Sequence, residues 1–196
     1  MSEERVSKVK IIFFVWGYLI GVLSCILFSL AFFFLVGYPL KYYLAKKGVE
    51  SLKKPVFSLS SEFDYSLSVV KLNGEKQQSL KDLKGKSFFA FFWHPDCIHC
   101  LSTLITVDSL NKRLGEKFPV VSFTSASPEV VSQTLDNLSC SVPVYLLSGD
   151  RFESLTGGNV PQGIVVDSSG KVIYKYVGSA KWDDEEIIQV LLSFSS

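Results

Sequence analysis

The chain has 196 residues, enough for one soluble domain and additional segments. Its formal net charge of +1 gives no reason to propose nucleic acid as a partner. Hydrophobic residues make up an ordinary 47% of the chain, but they are unevenly distributed along it.

The first predicted element is a membrane helix. Residues 11–37 contain no charged side chain, and a helix of that length is roughly 40 Å long, enough to cross a bilayer with some tilt. A cleavable signal peptide has a shorter apolar core of about 7–15 residues. We therefore predict a short tail at residues 1–10 and a retained single-pass anchor at residues 11–37.

Two other hypotheses concern the same segment. Residues 22–25 resemble a lipoprotein signal that would lipidate Cys25, but the chain stays apolar after Cys25, where a lipoprotein normally turns polar. Gly17 and Gly21 begin a ridge of small residues spaced by four. Such a ridge lets two helices approach closely, which would give a homodimer through the Gly17/Gly21 face.

The charges that flank the anchor bear on its orientation. Arg5, Lys8 and Lys10 precede it, and five lysines follow it before Pro55. By the positive-inside rule, this distribution favours a cytoplasmic C-terminal domain.

Residues 38–54 are basic and mixed, so we interpret them as a juxtamembrane linker before a folded domain at residues 55–196. Asn73-Gly74 is a turn signal, and residues 79–86 are predicted to be a short turn or helical segment. The remaining predicted elements are strands at 65–72, 87–93, 118–124, 142–147, 162–166 and 171–177, and helices at 97–114, from Ser127, at 150–155 and at 183–192. This order predicts an α/β fold with a central mixed sheet flanked by helices.

The most informative stretch is residues 88–100, where a continuous apolar run ends in Cys97 and Cys100 and then enters a predicted helix. Cys97 is therefore expected at a strand-to-helix turn, where free backbone N–H groups and the helix dipole favour a thiolate. Two cysteines at this spacing can close a small, reversible disulfide. This arrangement is what a dithiol used in thiol–disulfide exchange requires.

Four features of the domain occur in an informative order. They are Asn73-Gly74 with Leu80, Leu83 and Gly85-Lys86; Phe92-Trp93 before Cys97-Ile98-His99-Cys100; Val160-Pro161; and Val165-Val166-Asp167 with Gly170-Lys171-Val172 and Gly178. Together they resemble the thioredoxin superfamily, and more closely its membrane-anchored TlpA/ResA-like branch. The resemblance implies a thioredoxin-like fold and a thiol–disulfide oxidoreductase that acts on protein thiols and disulfides without a cofactor or metal.

The resemblance also implies roles for individual residues. Cys97 is expected to be the attacking nucleophile and Cys100 the resolving thiol. The Val160–Pro161 bond is expected to be cis, which would place the Val160 backbone against the dithiol. Trp93 is expected to pack in the core and to help shape the site.

The sequence departs from the family pattern near the cysteines. Asp96 stands where thioredoxin has Trp, and Phe91 stands where thioredoxin carries a buried acid. His99 before the second cysteine and Val160 before the proline are similar to DsbA-like oxidants. The branch as a whole indicates that the protein is a reductant, whereas these two details indicate an oxidant. Of these two directions of the redox reaction, we favour reduction of the substrate.

Two side chains would tune the dithiol in opposite directions. Protonated His99 favours the Cys97 thiolate and raises the reduction potential, whereas the Asp96 carboxylate disfavours a second negative charge beside it. Alternatively, Asp96 caps the helix by accepting a backbone hydrogen bond.

Metal delivery is a second class of function for the same residues. Cys97, Cys100, His94 and His99 would offer thiolate and imidazole ligands to copper or zinc. Thioredoxin-fold copper chaperones, however, use a wider cysteine spacing and a distant His. Cys140 has no partner by spacing and is expected to be a small, half-buried residue.

The resemblance implies a location as well. An anchor would keep the domain near a membrane-bound redox partner, and we expect the domain on the periplasmic, or otherwise extracytoplasmic, side of the cell inner membrane. This expectation conflicts with the flanking charges.

Overall fold

A computed structural model describes residues 3–52, 61–72, 74 and 77–194. The chain forms two compact units, Met1–Lys41 and Tyr42–Ser196. The first unit contains helix α1 (Glu3–Phe32), a π-helical turn (Phe33–Gly37) and the start of helix α2 (Tyr38–Gly48). The helical run at residues 16–48 is long and apolar enough to cross a membrane, by length and composition alone.

The second unit is built on one mixed sheet. Its strands are β1 (Ser61–Glu62), β2 (Ser68–Lys71), β3 (Gln77–Ser79), β4 (Phe88–Phe92), β5 (Val120–Thr124), β6 (Val144–Leu146), β7 (Gln162–Val166) and β8 (Lys171–Val177). The strands lie in the order β1-β8-β7-β4-β5-β6-β2-β3. Strands β4, β5 and β6 pair in parallel, and the other pairs are antiparallel.

Helices cover the sheet and complete the predicted α/β fold. They are α3 (Ile98–Leu114), α4 (Pro128–Leu138), α5 (Gly149–Thr156) and α6 (Glu185–Ser193), with short 3₁₀ turns at Val49–Ser51, Leu80–Leu83 and Gly115–Lys117. The segment predicted as a turn or helical piece at 79–86 thus contains the 3₁₀ turn Leu80–Leu83.

Strand β4 lies in the middle of the sheet and is buried on both faces. Because side chains alternate along a strand, Phe88 and Phe92 belong to one core layer, while Phe89 packs on Trp182 on the opposite face, with 4.5 Å between ring centroids. A wholly apolar sequence suits this position because neither face of β4 meets water.

Several predicted strands are shorter in the structure for local reasons. The strand predicted at 65–72 begins at Ser68, because Ser66 donates through its backbone N–H and its hydroxyl to Asp64 Oδ1, at 2.9 and 2.6 Å, and closes a turn. The strand predicted at 142–147 begins at Val144, after Pro143, which has no N–H to donate to a neighbouring strand. Asn73 of the predicted turn lies outside the described residues.

Residues 38–54, interpreted from sequence as a linker, contain helix α2 and a 3₁₀ turn. Pro39 follows the π-helical turn Phe33–Gly37 by one residue, in a helical run that continues from α1, and it has no N–H to donate to the preceding turn. Tyr42 and Ala45 are buried, and the Tyr42 hydroxyl lies 3.4 Å from Thr134 Oγ1. The compact unit therefore begins at Tyr42, ahead of the start expected at Pro55, which itself lies outside the described residues.

Candidate active site

The two cysteines lie where strand β4 passes into helix α3. Beyond the strand, the Trp93 N–H donates to Phe123 O at 3.0 Å, and the Cys97 N–H donates to His94 O at 3.1 Å, which closes the turn. Cys97 is the N-cap residue of α3, with extended backbone angles (φ −91°, ψ 106°). Cys97 and Cys100 form a disulfide across the first turn of the helix, with their Cα atoms 5.1 Å apart.

The environments of the two sulfur atoms differ. Cys100 is fully buried, whereas Cys97 is partly exposed. The Cys100 N–H donates to Cys97 Sγ at 3.1 Å, so a free donor of the helix terminus points at the exposed sulfur. In the reduced state this N–H would stabilise negative charge on Cys97. The geometry suits Cys97 as the attacking thiolate and Cys100 as the resolving thiol.

A loop that contains a cis peptide bond faces the dithiol. The Val160–Pro161 bond is cis, and Val160 O lies 3.9 Å from Cys97 Sγ. Pro161 O accepts a hydrogen bond of 2.8 Å from the Gly178 N–H, which ties this loop to the end of β8. The backbone of Val160 therefore stands against the reactive sulfur.

The side chain of Asp96 turns towards His94. Its carboxylate oxygen lies 3.5 Å from His94 Nδ1, which also accepts the Asp96 backbone N–H at 3.3 Å. The N-cap residue of α3 is Cys97, directly after Asp96. The Asp96 side chain is 82% exposed, and water therefore screens its effect on Cys97.

Trp93 and His99 occupy opposite environments. Trp93 is fully buried, and its indole N–H donates to Ser122 Oγ at 3.3 Å, which fixes the end of β4 rather than forming a surface for substrate. His99 is exposed, and its carbonyl accepts from Thr103 Oγ1 at 2.9 Å. In the described part of the chain, no cluster of three or more His, Cys, Asp or Glu side chains is placed to hold a metal ion.

A cleft of about 450 Å³ beside the dithiol was not expected from the sequence. Ile98 and His99 line it from the dithiol side, and Leu44 and Leu52 line it from α2 and the chain just after it. The spacing of Tyr42, Ala45, Val49 and Leu52 is a helical one and could have indicated a docked apolar face, but the charges among these residues favoured a linker.

Cys140 lies away from the dithiol, in the loop after α4. Burial, assisted by the nearby Asp108 carboxylate, raises the pKa of its thiol from 9.0 to about 12. A thiol held neutral in this way is a poor nucleophile at neutral pH.

At pH 8 we expect iodoacetamide to modify Cys97 in the reduced, folded protein and to leave Cys140 unmodified, because only thiolates react. In 6 M guanidinium chloride, roughly enough to unfold most domains, both should react; peptide mass spectrometry assigns each site. Stoichiometric modification of folded Cys140 at pH 8 would contradict this expectation.

The raised pKa of Cys140 also makes the stability of the fold depend on pH. The thiol loses its proton near pH 9.0 in the unfolded chain but only near pH 12 in the folded one. The free energy of unfolding should therefore decline between pH 9.0 and about 12, and this decline should disappear in Cys140→Ala.

The chain has recognisable relatives. A family model described as Redoxin matches residues 55–191. The thiol-disulfide oxidoreductase ResA of Bacillus thuringiensis is 27% identical over 113 residues, which cover 56% of this chain and 65% of the relative, just under two thirds of its length. The thioredoxin-like protein YneN of Bacillus subtilis is 29% identical over 120 residues, 59% of this chain and 69% of the relative.

Solved structures show the same fold. The thioredoxin domain of a thiol-disulfide oxidoreductase from Bacteroides vulgatus superposes with a TM-score of 0.56 at 19% identity, over 71% of this chain and 100% of that domain. The predicted thioredoxin-like fold is therefore confirmed.

Proposed function

The chain belongs to the Redoxin family, and from this premise we propose that it is a membrane-anchored thiol–disulfide oxidoreductase that reduces disulfides in other proteins. The observation that carries the proposal is the asymmetric dithiol. Cys97 is exposed enough to meet a substrate and receives a backbone N–H, while Cys100 is buried beside it.

The proposed reaction proceeds through a mixed disulfide. The Cys97 thiolate attacks one sulfur of a substrate disulfide, so that a Cys97–substrate bond forms and the other substrate sulfur leaves as a thiolate that takes up a proton. Cys100 then loses its proton and attacks Cys97 Sγ, which releases the second substrate thiol. Two electrons pass from the dithiol to the substrate, and the protein is left with its Cys97–Cys100 disulfide.

The backbone beside the dithiol offers a place for the substrate chain. Val160 is half-buried, and its carbonyl lies 3.9 Å from Cys97 Sγ. An extended segment of a substrate protein can pair with such an edge through main-chain hydrogen bonds, which suits substrates of varied sequence.

The anchor and location complete the proposal. An N-terminal helix that is long and apolar enough to cross a membrane supports a single membrane span, and the similarity to ResA supports a location outside the cytoplasm. We place the domain on the extracytoplasmic side, where a membrane-bound partner would return electrons to the disulfide. A homodimer through Gly17 and Gly21 stays a prediction.

The reduction potential tests the direction of the reaction. For the full-length protein in detergent, equilibrated with glutathione and dithiothreitol buffers, we expect a potential near about −270 mV, as in thioredoxin, rather than near about −120 mV, as in DsbA. His99→Ala should lower the potential by on the order of 30 mV, since it removes an imidazole whose protonated form favours the Cys97 thiolate.

His94→Ala is the matched control for His99→Ala. The His94 ring contacts the Asp96 carboxylate, and we expect its removal to change the reduction potential less than the removal of His99. A value near that of DsbA would reverse the proposed direction. The absence of any reversible Cys97–Cys100 disulfide would overturn the oxidoreductase assignment.

A further inference from the structure

Helix α2 packs on the domain close to the dithiol, although it precedes the residues matched by the Redoxin model, 55–191. Tyr42 and Ala45 are buried, and the Tyr42 hydroxyl lies 3.4 Å from Thr134 Oγ1 on α4. Leu44, on the same helix, is 48% exposed. The part of α2 from Tyr42 onward is thus held by buried side chains, while Leu44 stays accessible to solvent.

The end of α2 approaches the first turn of α3 closely. A Cβ added to Gly48 would stand 2.7 Å from Ser102 Oγ, so only glycine fits there without a shift of Ser102. The Ser102 hydroxyl in turn donates to Ile98 O at 3.3 Å. Ile98 lies between the two cysteines, so the contact of α2 with Ser102 is connected to the cysteine turn through this one hydrogen bond.

This approach creates the cleft of about 450 Å³, which we call the α2 cleft. Leu44 and Leu52 form one wall, Ile98 and His99 a second, and Tyr176 and Ser179 a third. Leu44, Leu52 and Ile98 supply its aliphatic side chains and Tyr176 an aromatic ring, whereas His99, Ser102 and Ser179 are polar.

Two residues that line the α2 cleft, Ile98 and Ser179, are close along the chain to residues at the dithiol. Ser179 follows Gly178, whose N–H donates to Pro161 O at 2.8 Å. Pro161 follows Val160, whose carbonyl lies 3.9 Å from Cys97 Sγ. Ile98 is the immediate neighbour of Cys97, so one wall of the cleft begins one residue along the chain from Cys97.

We propose that the α2 cleft binds an apolar side chain next to the reacting cysteine of an extended protein substrate, and that α2 thereby determines substrate preference. The inference rests on the proposed function. In the mixed disulfide, the substrate sulfur is bonded to Cys97, and consecutive residues of an extended chain are separated by about 3.3 Å. A residue that flanks the substrate cysteine therefore reaches the cleft beside Ile98, where Leu44, Leu52 and Tyr176 remove an apolar side chain from water.

Two peptide disulfides test this inference with the full-length, reduced protein in detergent. Each is a symmetric dimer of one peptide with a single cysteine, flanked on both sides by Leu in one and by Ser in the other. In each reaction, the protein dithiol becomes a disulfide and two peptide thiols are released. We expect the wild-type protein to reduce the Leu dimer roughly tenfold faster than the Ser dimer.

Variants on α2 separate the cleft from the dithiol chemistry. Leu44→Ser should lower the rate on the Leu dimer to within about twofold of the rate on the Ser dimer. Tyr43→Ser is the matched control, since Tyr43 is a neighbouring, 62% exposed residue of the same helix outside the cleft lining, and it should keep the wild-type preference.

Equal rates for the two dimers with the wild-type protein, or an unchanged preference in Leu44→Ser, would overturn the inference and leave the proposed function intact. Failure of the wild-type protein to reduce either dimer and glutathione disulfide would overturn the proposed function, and the inference with it.

Discussion

Replacing Cys97 by Ser should lower the rate of disulfide reduction by at least about 1,000-fold. A serine hydroxyl does not ionise near neutral pH and forms no disulfide, so neither the mixed disulfide nor the Cys97–Cys100 bond can arise. The measurement is the rate at which the reduced full-length protein releases thiols from glutathione disulfide. The expected loss is large because the substitution removes the sulfur of the dithiol that is partly exposed. The other sulfur, that of Cys100, is fully buried.

Two further cysteine variants give the first prediction its controls. Cys100→Ser should still attack a disulfide but should not resolve the product, so a Cys97–substrate adduct should accumulate and be visible by mass spectrometry. Cys140→Ser should retain the wild-type rate, since its thiol lies outside the site and is kept neutral by burial, which raises its pKa. A Cys97→Ser protein that keeps a tenth or more of the wild-type rate would contradict the assignment of the nucleophile.

The local order of the chain around the dithiol could be read from the sequence. An apolar strand that runs into a cysteine pair and a helix has few ways to fold, so the sequence predicts Cys97 at a strand-to-helix turn, and the structure places it at the N-cap of α3. Pro161, identified through the family resemblance, follows a cis bond beside Cys97. These features depend on residues close in sequence or on a pattern shared by a whole family.

Other features depend on contacts between distant segments. Helix α2 is secured by Tyr42 against α4 and by Gly48 against α3, and a stretch with three lysines gives little sign of such docking. Strand β1 has only two residues, and its position is determined by pairing with β8 rather than by its own composition. Side-chain capping was also ambiguous, because Asp96 and Cys97 are adjacent and only the backbone angles show which residue is the N-cap.

The second prediction of large effect concerns Trp182, which supports the sheet beneath the site. Its side chain is 1% exposed, and its ring lies 4.5 Å from Phe89 and 6.2 Å from Tyr176 between centroids. Tyr176 on β8 pairs with Gly163 on β7. Strand β7 begins directly after Pro161. Trp182 therefore packs against both strands that carry the loops facing Cys97.

Trp182→Ala should lower the free energy of unfolding of the domain by about 3–5 kcal/mol, because it leaves a large cavity against β4, β7 and β8. The measurement is urea unfolding of the full-length protein in detergent, followed by far-UV circular dichroism, with Trp182→Phe as the conservative control that should lose much less. A loss below about 1 kcal/mol would mean that neighbouring side chains refill the space.

Gly163 provides an independent check on the same packing. A Cβ at this position would lie 2.9 Å from both Phe89 Cζ and Trp182 Cη2, and closer still to Trp182 Cζ2. Gly163→Ala alone should therefore cost about 1–3 kcal/mol through overpacking. In the Trp182→Ala background the added methyl group would enter vacated space, so the two losses should sum to more than the loss in the double variant. Strictly additive losses would show that Trp182 and Gly163 contribute to stability independently. The packing that holds the Pro161 and Gly178 loops against Cys97 would then not depend on a contact between these two residues.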